Sequence, residues 1–176
     1  MQASIKLIVE VIKDNEVIKK IEKDNDLITK QTFKLIYDLL VSKPEVSGYI
    51  DHGGNYHDVW LVHSPTKVID AIAIGTGRTL QNFNDVKLEN QIAEAGISIQ
   101  NYTEDIQNNQ IYFDVVASFN ISNDTTIYEF GLLGRILDYW DWNEYRYLAC
   151  RDVISDGVFV PAGSTLNVTY RVTLSQ

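Results

Sequence analysis

Eleven residues, Ile111 to Ile121, constrain this chain more than any other stretch. Tyr112, Asp114, Val116, Ser118 and Asn120 alternate with Phe113, Val115, Ala117, Phe119 and Ile121, the period-2 signature of a strand with one face against a core. Shorter runs of the same texture surround it. Ile5 to Ile12 alternates too, the Asp14-Asn15 turn follows, and Val17 to Ile21 returns as the second arm of a hairpin. Val59 to His63, Val68 to Ile74, Leu88 to Glu94, Ile97 to Tyr102, Thr126 to Leu133, Tyr145 to Ile154 and Ser164 to Leu174 read as further strands. Asn123-Asp124, Asp156-Gly157 and Pro161-Ala162-Gly163 punctuate them as turns.

One helix is expected. Thr29 is a suitable N-cap, Phe33, Ile36, Tyr37, Leu39 and Leu40 recur near helical spacing, and Pro44 ends the run. After Pro44 there is little room for the helical crossovers that a parallel sheet needs. The chain therefore reads as mainly β, an antiparallel β-sandwich with one N-terminal helix. Its 176 residues suit a single domain, 1–176, with a strand-hairpin and helix element over 1–45 and the sandwich over 46–176. A globule of this size buries roughly 70% of its unfolded surface, so no disulfide or metal staple is needed.

The formal net charge of -9 opposes nucleic acid as a partner, because phosphate binding draws on Lys and Arg that displace counterions. Lysines between Lys13 and Lys30 alternate with Glu22, Asp24 and Asp26, as on a solvated, ion-paired face. Cys150 is the single cysteine and reads as a small buried hydrophobe. No basic segment precedes a long apolar run, so neither a signal peptide nor membrane insertion is expected, and synthesis is placed in a cytoplasm.

Four constellations could carry chemistry. Gly75-Thr76-Gly77-Arg78-Thr79-Leu80 follows a strand, as a dinucleotide fingerprint does. Position 80 is Leu80 and not the third glycine, and residues 81–85 make poor helix, so a tight turn using glycine's backbone freedom is expected and no cofactor. His52, His57 and His63 lie in one stretch with Asp58, the residue types of a metal site, yet their spacing matches no zinc signature. An exposed contact loop that includes Tyr56 and Trp60 is the expectation there, with no metal.

Tyr139, Trp140, Trp142 and Tyr145 form an aromatic cluster, and two readings stay open, core packing and a contact surface for protein or sugar rings. Glu129 stands inside an apolar strand with no second carboxylate, histidine or nucleophile at a telling spacing. It reads as a structural carboxylate paired with an arginine, Arg151 being the candidate. The sequons at Asn101, Asn120, Asn123 and Asn167 read as chance matches in a β protein rich in Thr and Asn.

The order of motifs resembles a family of small virion structural proteins of tailed phages and related prokaryotic viruses, archaeal ones included. The resemblance is carried by Asn25-Asp26-Leu27-Ile28-Thr29, Ile72-Ala73-Ile74-Gly75-Thr76-Gly77, Val115 to Phe119, Ile127-Tyr128-Glu129-Phe130-Gly131-Leu132, Ala149-Cys150-Arg151 and Gly163 to Thr173. It implies a jelly-roll-like sandwich serving as a tail, fibre, baseplate or capsid-vertex subunit, with no catalytic residues. Its partners would be copies of itself and other virion proteins, or host-surface glycans if it is an adhesion module. The stretch Val46 to Pro65 and the Tyr139 to Arg146 loop depart from the family pattern.

Overall fold

The computed structural model describes residues 2–24, 27–28, 45–60, 69–138 and 140–175. Twelve strands occupy these residues. They are β1 (Gln2–Lys13), β2 (Glu16–Asp24), β3 (Leu27–Ile28), β4 (Glu45–Ile50), β5 (Tyr56–Trp60), β6 (Ala71–Gly75), β7 (Gln91–Gly96), β8 (Ser98–Asp105), β9 (Gln110–Ile121), β10 (Thr125–Leu137), β11 (Glu144–Val160) and β12 (Ser164–Ser175). No helix occurs among the described residues, and the helix expected behind Thr29 falls on residues 29–44, outside them.

Every pairing is antiparallel. One sheet runs β2-β1-β12-β9-β8, a second runs β3-β11-β10-β6-β7, and β4-β5 stands as a separate hairpin. β1 and β2 thus form one wing of the first sheet and are no appendage to it. The connections β6–β7, β8–β9 and β10–β11 stay within a sheet, and each is followed by a crossing to the other. Two packed sheets make the mainly-β sandwich that the alternating strands require.

The alternation places the core. Leu7, Val9 and Val11 of β1, Val115, Ala117 and Phe119 of β9, and Leu166, Val168 and Tyr170 of β12 face Ile72, Ile74, Phe130 and Tyr147 of the second sheet. The run Ala71 to Gly75 is buried throughout, as a continuous apolar strand covered on both faces should be. Its second face carries Ala71 and Ala73, which pack with Leu133, Leu148 and Leu88. Leu88 belongs to the 76–90 segment, which covers that face. The strand expected from Leu88 therefore starts later, at Gln91, because Leu88 is used as a lid and not in a ladder.

The turns at Asp14-Asn15 and Asp156-Gly157 differ in kind. Asp14 and Asn15 both take positive φ, 51° and 66°, as a two-residue hairpin turn requires. Asp156-Gly157, by contrast, is no turn between strands, since β11 runs on to Val160. Ile127 pairs with Val158 and Glu129 with Val153, so extra residues of β11 bulge out and pairing then resumes. Gly157, at φ 66°, supplies the left-handed residue of that bulge. Of the strand expected over Val59 to His63, Val59 and Trp60 lie in β5, Tyr56–Trp60, and residues 61–63 lie outside the described residues.

Candidate functional site

The β4–β5 hairpin and the turn between β10 and β11 meet in space. β4 and β5 are joined by the turn at Asp51 to Asn55, and β10 and β11 by the turn after Asp138. His57, at the start of β5, lies between them with 8% of its surface exposed. Its Nδ1 is 2.8 Å from Asp138 Oδ2 and its Nε2 is 3.1 Å from Asp51 Oδ2. The Tyr145 ring stacks on the imidazole with centroids 3.7 Å apart. Burial disfavours a charge on His57, but the hydrogen bonds and fields of Asp138 and Asp51 outweigh it and hold its pKa above the ordinary histidine value.

Each carboxylate also organises its own turn. Asp51 Oδ1 accepts the Asn55 amide at 2.8 Å, and both its oxygens face Asn55 Nδ2. Although burial pushes the other way, these bonds and His57 keep its pKa below the ordinary aspartate value. Asp138 Oδ1 accepts the amides of Trp140 at 2.7 Å and Asp141 at 3.3 Å, which fixes the turn that carries both indoles. Asp141 Oδ2 accepts the Tyr145 hydroxyl, and Asp58 Oδ2 accepts the Trp140 indole N–H at 3.1 Å.

On this clamped base the aromatic rings stand out into solvent. Tyr56 is 76%, Trp140 74% and Trp142 62% exposed. Trp142 also takes φ 58°, a left-handed conformation that a bulky residue adopts at a cost. Of the two readings of the cluster, core packing does not hold for Trp140 and Trp142. Tyr145 does pack inward, on His57.

Arginines brace the base. Arg146 pairs with Asp70 and Glu94, and Arg135 with Asp70 and Glu144. His52 sits beside this network with its Nε2 buried and without a hydrogen-bond partner among the described residues, and burial lowers its pKa. Among the described residues no group of three or more His, Cys, Asp and Glu side chains is arranged to hold a metal ion. His57 has both nitrogens committed to carboxylates, and Asp58 is turned to Trp140. His63 and Tyr139 lie outside the described residues, and for Trp60 only the backbone pairing with Glu45 is described.

The structure also brings Glu129 and Arg151 together. Glu129 is fully buried, and its Oε1 accepts the amides of Gly77 at 3.0 Å and Asn90 at 2.7 Å. Its Oε2 accepts the Glu89 amide and two N–H groups of Arg151, which also reaches Asp85 at 2.9 Å. This explains Gly75-Thr76-Gly77 differently from the expectation. Neither glycine takes a positive φ, but a Cβ at either would stand 2.5 to 2.6 Å from Glu129 Oε1. Close approach of the carboxylate, and not backbone freedom, requires them. The cluster pins the 76–90 segment over the sheet.

No sequence signal joined Asp51 to Asp138. They converge on His57 from 6 and 81 residues away, and only the packing of the two hairpins unites them. No protein-family model, no curated protein and no solved structure matches the chain.

Proposed function

We propose that this chain is a non-enzymatic structural component of a virus particle, a tail, fibre, baseplate or capsid-vertex subunit. In this reading it is made in the host cytoplasm, resides in the virion, and assembles with copies of itself and with other virion proteins. The observation that carries it is the turn at Asp138 to Asn143, where two indoles are held in solvent by a buried Asp–His–Asp clamp. Large aromatic side chains in a preorganised turn are the usual anchors of protein contacts. The ordered motifs from Asn25 to Thr173 supply the viral part of the reading. Its jelly-roll-like part is supported by the repeated crossings between sheets and by the pairing of β1 with β12.

Light scattering across a concentration series tests it. A defined oligomer that Trp140→Ala and Trp142→Ala together dissociate is the expected result, and a strict monomer at high micromolar concentration overturns it.

A second reading, a carbohydrate-binding host-adhesion module, draws on the same two rings. Exposed indoles stack on sugar faces, and the carboxylates of Asp58 and Asp141 beside them can accept from hydroxyls. Binding to a glycan array that is lost in the double tryptophan variant would favour it over assembly.

A further inference from the structure

The β4–β5 turn and the β10–β11 turn are joined through a single imidazole. A neutral imidazole donates from one nitrogen only, and its other nitrogen presents a lone pair. Facing two carboxylates at 2.8 and 3.1 Å, His57 forms two hydrogen bonds only as the imidazolium. Removing the proton turns one of these bonds into a contact between a lone pair and a carboxylate, inside a nearly dry site.

The surrounding charges favour the proton. Asp51 faces His57 from the β4–β5 turn, Asp138 from the end of β10 and Asp141 from the β10–β11 turn, while Tyr145 of β11 stacks on the ring. Asp58 of β5 is held by Trp140. The nearby cations, Arg135 and Arg146, are engaged by Asp70, Glu94 and Glu144. What His57 holds is specific, because Asp138 caps the amides of Trp140 and Asp141 with its other oxygen.

We propose that Asp51, His57 and Asp138 form a proton-dependent latch, which ties the β4–β5 turn to the Trp140–Trp142 turn while the imidazole is protonated and loosens that tie when the proton leaves. Its use as a switch rests on the reading of that turn as a contact surface, whereas the latch itself is a property of the isolated subunit. The His57 value is raised in the fold, so the latch is complete below about pH 6.5 and is lost as pH rises through the higher folded value. At the acid end it persists until Asp51, held below its ordinary value, takes up a proton.

The test uses the full chain, with the His57 imidazole followed by NMR from about pH 5 to 9. Hydrogen exchange at the Trp140 and Asp141 amides is read in the same samples against the amides of β9. The expected result is a His57 midpoint above about 6.5, with protection of the two turn amides falling roughly tenfold through that midpoint. His57→Gln should give the alkaline level of protection at every pH, and Asp138→Asn should lower the His57 midpoint. A midpoint at or below the ordinary histidine value overturns the latch, as does turn protection indifferent to pH and to His57→Gln.

Sedimentation on either side of the transition, at about pH 5.5 and about pH 9, separates the two readings. Self-association that follows the His57 transition supports the switch. A transition in the subunit with no self-association at either pH supports the latch alone and removes the assembly reading.

Discussion

Arg151 lays its guanidinium along one oxygen of Glu129, with Nε 3.0 Å and Nη2 2.9 Å from Oε2, and both residues are buried. The same carboxylate receives three backbone amides of the 76–90 segment, so a charge pair and a loop anchor are one object. Glu129→Gln removes the charge and turns an acceptor into a donor facing other donors. Its expected cost is about 3 kcal/mol of unfolding free energy, since it removes both Arg151 bonds to Oε2 and leaves the buried guanidinium to Asp85 and, at 3.9 Å, Glu89. Urea denaturation measures it, and a loss under about 1 kcal/mol would show that the anchor contributes little.

Gly131 is required by contact and not by conformation. A Cβ there would collide with Leu88 Cδ1 and stand 3.0 Å from Leu148 Cδ1, under the lid that the 76–90 segment forms. Gly131→Ala should cost about 1–3 kcal/mol as an overpacked site. The double variant Gly131→Ala, Leu88→Ala should recover part of that loss relative to Leu88→Ala alone, which a thermodynamic cycle reads directly.

Asp114 sets part of the acid limit of stability. Arg171 binds both its oxygens, at 2.8 and 2.9 Å, and these bonds hold its pKa below the ordinary aspartate value against the opposing push of burial. A depressed folded value means a contribution present above about pH 3.9 and lost as pH falls through the folded value. The stability difference between wild type and Asp114→Asn should be flat above roughly pH 5 and shrink below about pH 4. Thermal melts over that range check it, and a difference independent of pH would show that the charge is not what Arg171 recognises.

Trp142 should separate stability from association. Asn tolerates the left-handed conformation better than Trp, so Trp142→Asn is expected to stabilise the monomer by up to about 1 kcal/mol. In the assembly reading it weakens self-association at the same time. Melting temperature and light scattering on one sample measure both, and a fall in both would place the ring in the fold's own packing.

Strands with clean alternation were legible because period 2 is a local property. β1, β9 and β12 sit within a few residues of their expected spans, since each has one face on the core, and the mostly exposed β2 follows as the return arm of the β1 hairpin. What was not legible depends on distant partners. Leu88 looks like a strand residue until Gly131 and Leu148 are placed beneath it. Asp156-Gly157 looks like a turn because a bulge uses the same left-handed glycine. At the candidate site the exposed rings were readable as an aromatic cluster, whereas the clamp below them needs Asp51 and Asp138 from separate hairpins.

The position of β12 has a consequence for how the chain reaches this fold. It lies at the centre of the first sheet, between β1 and β9, yet it is the last of the described strands in sequence. Until it arrives, the β1–β2 and β8–β9 hairpins share no ladder, and each keeps an open edge. Closing the sheet joins Gln2 to Ser175 and every register pair up to Ile12 with Thr165, contacts that span nearly the whole chain. Such non-local pairing is slow, and emergence from the ribosome delays it further. The half-built subunit therefore has a lifetime during which two strand edges can capture a neighbour's β12, so crowding of nascent chains favours strand exchange over clean monomers.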